Sequence, residues 1–110
     1  MLLLLTATAQ CFGANFYVHK GAAGSNNGSS WTNAWNEMNQ INSSTLACGD
    51  TVWIAGGSYT TTLRISKTCT AGAILTLNRV RATDSTAVAA AGWNAAYDAP
   101  VIDQHHPAIL

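Results

Sequence analysis

Charge is what this chain lacks most. Only 9% of its 110 residues are charged, against about 25% in an average soluble domain. Lys+Arg 5 balance Asp+Glu 5, so the formal net charge is zero. Such a surface offers no basic stripe for nucleic acid and no acidic field for cations. No apolar run approaches the roughly 20 residues of a transmembrane helix, which excludes a membrane span. The three cysteines form no C-x-x-C and have no neighbouring histidine, so the spacing of a zinc site is missing. G-x-S-x-G, H-E-x-x-H, the phosphate loop and the dinucleotide fingerprint are absent as well.

Thr, Ser, Asn and Gly take the place of the missing charge, a composition that suits secreted β-architectures. Residues 1–9 read as the remnant of a signal peptide. Leu2 to Leu5 supply its apolar part and Ala7-Thr8-Ala9 an A-x-A cleavage site, although the usual positive start is missing. The expected location is therefore secreted or cell-surface. Ala9-Gln10 before Cys11 is a poor lipobox ending, so lipidation is not expected. Cys48 and Cys69 fall at two turns, and in an exported protein they pair. Closing that loop stabilises by about 3 kcal/mol in the chain-entropy treatment. The alternative is two buried thiols.

Residues 10–47 read as strand, loop and capping helix. Asn15 to His19 is a β-prone run, and Gly21 to Ser30 is a loop by composition, a surface connector in its plainest reading. Trp31, Trp35, Met38 and Ile41 then fall on one stripe at helical period, which predicts a helix over 31–42. Ser30 or Thr32 caps its start and Asn42-Ser43-Ser44 ends it. Two tryptophans on one stripe also suit a platform for stacking sugars, but packing onto a core is the simpler reading.

From Cys48 onward the chain repeats. Val52 and Ile54 alternate with Thr51 and Trp53, and Gly56-Gly57 ends the run. Leu63 and Ile65 repeat the alternation, and Leu75 and Leu77 repeat it again 23 residues after Val52 and Ile54. Repeats of roughly 20–45 residues mark solenoids. The stretches S-W-T-N-A-W (30–35), C-G-D-T-V-W-I-A-G-G-S-Y (48–59), L-R-I-S-K (63–67) and A-I-L-T-L-N-R (73–79) resemble the amino-terminal part of right-handed parallel β-helix proteins of the pectin-lyase-like superfamily. The resemblance implies an all-β fold: a truncated right-handed parallel β-helix, with the 31–42 helix as its amino-terminal cap. Residues 48–110 would be its first coils, with a loop or short-helix insertion protruding at about 82–98. Val101 to Asp103 would resume a strand on the Leu63–Ile65 face. His105-His106-Pro107 would turn, and Ala108 to Leu110 would open another strand in a longer protein.

The resemblance also implies an extracellular polysaccharide as the partner. Lyases of that superfamily use a calcium ion held by carboxylates, with a basic residue as base; its hydrolases use clustered aspartates. Glu37, Asp50, Asp84, Asp98 and Asp103 form no adjacent pair, although Asp84 and Asp98 bracket the insertion and could approach each other. Asp50 reads as turn chemistry. His105 and His106 would point to opposite faces of a strand and so could not share a metal. No catalytic, cofactor or metal-ligating residue is therefore assigned, and calcium belongs to the full-length protein. Arg64 and Asp103 are the candidate ligand-facing residues. Two functions stay open. One is a polysaccharide lyase or glycoside hydrolase with its active site outside this stretch. The other is a non-catalytic adhesion solenoid that binds glycans or partner proteins.

Overall fold

The computed structural model describes residues 13–70 and 72–103. The leader 1–9, Cys11, His105-His106-Pro107 and the run 108–110 lie outside the described residues.

Five short strands form two small parallel sheets. They are β1 (Asn15–Val18), β2 (Thr51–Ile54), β3 (Gly57–Tyr59), β4 (Thr76–Arg79) and β5 (Val101–Asp103). The first sheet has the order β1-β2-β4 and the second pairs β3 with β5. Among the described residues the one α-helical turn is α1 (Ser85–Val88), and 3-10 turns lie at Met38–Gln40 and Ala95–Tyr97. These few short strands, with almost no helix, overturn the expected solenoid: no β-helix is shown.

The alternating strand residues sort by face. Phe16, Val18, Val52, Ile54 and Leu77 join Trp35, Met38, Ile41, Leu46, Tyr59 and Val101 in the main core. Tyr17 points the other way, into a second cluster with Trp31, Ala34, Ala55, Val80 and Ala87. Period-two alternation thus gives the first sheet two buried faces. Tyr59 is fully buried, and its hydroxyl donates to the Ala55 carbonyl at 2.7 Å.

The expected helix over 31–42 does not form. Its stripe is nevertheless buried: Trp31, Trp35, Met38 and Ile41 are all at most 4% exposed. The backbone is committed elsewhere. Trp35 forms a parallel bridge with Val18, with Trp35 N–H donating to Tyr17 O and His19 N–H to Trp35 O. Side chains take other amides: Ser30 Oγ accepts from Asn33 N–H, and Gln40 Oε1 accepts from Asn36 and Glu37 N–H. Ser, Asn and Gln compete with the helical ladder in this way.

The repeat is corrected too. Val52 lies opposite Leu77, not Leu75, so the register is two residues away from the expected one. A two-residue slip leaves every side chain on the same face, so alternation cannot detect it. Leu63 and Ile65 pack against the main core but sit in irregular chain. There Ser43 Oγ donates to Arg64 O and accepts from Ser66 N–H. With no strand at 63–65, β5 pairs with β3 instead, placing Val101 opposite Gly57 and Asp103 opposite Tyr59. Residues 82–98 do contain a short helix, but they fold onto the body. Trp31 Nε1 donates to Ala87 O, Trp31 N–H to Ala91 O and Gly56 N–H to Tyr97 O.

Two bonds hold the start of β2. Cys48 and Cys69 form a disulfide with a Cα–Cα distance of 5.5 Å. Asp50 is the buried charged residue among those described; its Oδ1 accepts from Ala14 N–H and its Oδ2 from Ala47 N–H, both at 2.8 Å. Replacing Asp50 by Ala strips two backbone donors of their acceptor. The expected cost is about 2–4 kcal/mol in chemical denaturation, and a loss near zero would show that water replaces the carboxylate. Replacing both Cys48 and Cys69 by Ala should cost about 3 kcal/mol, read as a lower denaturant midpoint that matches the reduced parent chain.

Candidate ligand groove

The carboxylates do not converge. Glu37 Oε1 accepts from the N–H groups of Thr60 and Thr61, and its Oε2 pairs with Lys20. Asp84 Oδ2 accepts from Arg81 N–H. Asp98 pairs with Arg79 at 3.0 Å and accepts from Ala82 N–H. The Ala82–Asp98 bond thus joins the two ends of the 82–98 segment directly, while Asp84 and Asp98 share no partner. Among the described residues no group of three His, Cys, Asp or Glu side chains could hold a metal ion, and no helix is long and apolar enough to cross a membrane.

Of the two candidate ligand-facing residues, Arg64 is exposed in the irregular 60–75 segment. Asp103 ends β5, on a different element. Arg64 does not line the cavity described next, and the side chain of Asp103 lies outside the described residues. Trp31 and Trp35 are no sugar platform. Trp31 is buried, and the Trp35 ring stacks on Phe16, with centroids 5.5 Å apart and planes 15° apart. Gly28 lies close to the Trp35 ring, which would stand 2.9 Å from a Cβ at that position.

A groove of about 350 Å³ opens beside that indole, lined by Asn26, Asn27, Trp35, Gln40, Asn42 and Thr45. No charged side chain lines it. Its amides share one bonding pattern. Asn26 Oδ1 accepts from Asn36 N–H, Asn27 Oδ1 from Ser29 N–H and Asn42 Oδ1 from Ser44 N–H. Gln40 Oε1 caps the 3-10 turn by accepting from Asn36 and Glu37. Each of these side-chain oxygens is thus taken by a backbone donor, which leaves the NH₂ arm of the amide for another partner. None of the four NH₂ groups donates a hydrogen bond among the described residues, whereas Asn36, outside the groove, spends its NH₂ on His19 O and Ala22 O. The groove is thus an uncharged pocket, four of whose lining residues carry an NH₂ with no partner among the described residues. Sequence reasoning missed it. The only trace was the Asn-Gly composition of the 21–30 loop, and the loop's meeting with residues 40–45 is a tertiary fact.

His19 lies next to the start of this loop, its carbonyl accepting from Ala22 N–H. Its ring packs 4.2 Å from Tyr97, its Nδ1 is buried without a partner, and burial holds its pKa below the usual value. A depressed histidine favours the unfolded chain once protons bind. Stability should therefore hold above the unfolded pKa of about 6.5 and fall as pH drops below it. Asp98, held below its usual range chiefly by the Ala82 N–H and then by Arg79, loses its contribution in a separate, more acidic window. A thermal melting series should show the first decline in the parent chain and not in His19→Phe. An identical decline in both would refute the assignment.

The chain matches no family model, no curated protein and no solved structure, so nothing in those comparisons bears on a pectin-lyase-like relationship.

Proposed function

We propose that this chain is an exported, disulfide-linked binding module whose amide groove takes a segment of extracellular polysaccharide. The observation that carries the reading is that Asn26, Asn27, Gln40 and Asn42 line one uncharged groove, each with its side-chain oxygen held by a backbone N–H and its NH₂ without a partner among the described residues. Saccharides present many acceptor oxygens on a neutral frame. An uncharged groove with NH₂ groups to spare suits them better than it suits a cation or an apolar ligand. The disulfide suits an oxidising compartment. The dispersed carboxylates favour binding over catalysis as the role of these residues.

Asn42→Asp tests the reading. Aspartate keeps an acceptor for Ser44 N–H and turns the NH₂ donor into a charged acceptor. In titrations with soluble neutral and uronic oligosaccharides, the parent chain should bind and Asn42→Asp should bind about tenfold more weakly, the loss of one charge-reversed hydrogen bond. Its melting temperature should be unchanged. No binding by the parent, or equal binding by both, would overturn the groove as the site.

A further inference from the structure

One wall of the groove holds the chain's one Asn-Gly pair, Asn27-Gly28. Asparagine before glycine is prone to imide closure, because no side chain shields the next peptide nitrogen. Here the two halves of that reaction are in opposite states. Asn27 Oδ1 accepts from Ser29 N–H at 3.0 Å, a local turn that folds the side-chain carbonyl back over the following peptide and polarises it. The attacking nitrogen, however, is occupied. Gly28 N–H donates to Asn33 O at 2.8 Å. Gly28 is buried, has φ +80 and lies against the Trp35 ring, while its own carbonyl accepts from Tyr17 N–H. The peptide is fixed on both sides.

We propose that Asn27-Gly28 is a self-modification site, with its side-chain carbonyl polarised by Ser29 N–H and its nucleophile locked by the Asn33 carbonyl. When the lock opens, base removes the Gly28 amide proton and the nitrogen attacks Asn27 Cγ. The N–Cγ bond forms, the Cγ–Nδ2 bond breaks, and ammonia leaves with the returned proton. Water then adds across one of the two imide C–N bonds, leaving aspartate or isoaspartate at position 27. Water is the only co-reactant, and no electrons are exchanged. The product replaces an NH₂ by a carboxylate in the groove wall. On the polysaccharide reading above, the conversion removes one of the four donors, so the age of the fold regulates the site.

The lock has an identifiable support. Asn33 O accepts from both Asn27 and Gly28 N–H, and Asn33 is itself held by Ser30 Oγ on its N–H and by Ser25 N–H on its Oδ1. Ser30→Ala loosens that carbonyl and touches neither Asn27 nor Gly28.

The test follows amide-to-acid conversion by peptide mass spectrometry in mildly alkaline buffer. The full chain is compared folded, unfolded in guanidinium with reductant, and as Ser30→Ala, with Gly28 amide exchange measured in parallel. Conversion should be at least about tenfold slower in the folded chain than in the unfolded one, the protection expected when reaction requires a local opening. Ser30→Ala should convert faster than the parent at a similar melting temperature, in step with its Gly28 exchange rate. Asn27→Gln should abolish the fast product. Equal rates folded and unfolded would overturn the proposal. So would rates that do not follow Gly28 exchange, or faster conversion at another asparagine in the unfolded chain. The mass readout involves no saccharide, so it stands or falls separately from the polysaccharide reading.

Discussion

The Asp50 carboxylate joins segments that are far apart in sequence. One oxygen accepts from Ala14, just before β1, and the other from Ala47, in the turn before β2. Its own carbonyl accepts from Thr76 N–H at the start of β4, and Thr51 N–H beside it donates to Ala14 O. All three strands of the first sheet are therefore aligned at a single residue. The carboxylate is buried, so an unmet partner there is expensive, about 1–3 kcal/mol for each lost hydrogen bond. The part-exposed pair Lys20–Glu37 is a lesser anchor, since pairs near solvent contribute about 0–1 kcal/mol. Glu37 matters more for the two Thr amides it accepts from.

The same pattern recurs wherever regular structure is missing. Among the described residues, 60–70 and 72–75 have no strand or helix, yet the segment is tied at Glu37, at Ser43 and at the disulfide. Its apolar side chains Leu63, Ile65 and Leu75 still reach the core. Burial and backbone satisfaction are achieved separately here: side chains of one loop cap the peptides of another. A chain with little charge and much Asn, Ser and Thr can do this, because those residues supply short, neutral acceptors close to the backbone.

That division explains what could be read from the sequence. Strands at 15–18, 51–54 and 101–103 have dense β-prone side chains and glycine or proline at their ends, and local pattern suffices for them. The Cys48–Cys69 disulfide was legible from the turn positions of the two cysteines together with the expectation of export. Asp50 was legible only in part: its bond to Ala47 is local turn chemistry, whereas its bond to Ala14 crosses the sheet. The Trp31-to-Ile41 stripe misled because burial, not helicity, sets such spacing, and an extended bridge at Trp35 buries the same residues. The expected solenoid failed for a related reason. Alternation at 63–65 reported apolar contacts with the core but not a strand, and alternation at 75–79 is blind to a two-residue slip.

The donor character of the groove follows from the loops that build it. Irregular turns leave peptide N–H groups without acceptors, and each costs free energy unless a side chain answers it. A serine that answers keeps an O–H on the same atom, as Ser43 spends on Arg64 O, and an aspartate leaves a charge. Asparagine and glutamine answer with oxygen and keep an NH₂ on the other arm of the amide. Asn26, Asn27, Gln40 and Asn42 each make that exchange around one cavity. Amides with an NH₂ to spare thus gather around one cavity as a consequence of loop capping. Substituting these amides therefore separates the two roles only when the replacement keeps the capping oxygen. Aspartate does so at positions 27 and 42, where the capped donor is the backbone N–H two residues on. At Gln40 the same oxygen holds two amides of the 3-10 turn, and there binding and folding cannot be varied independently.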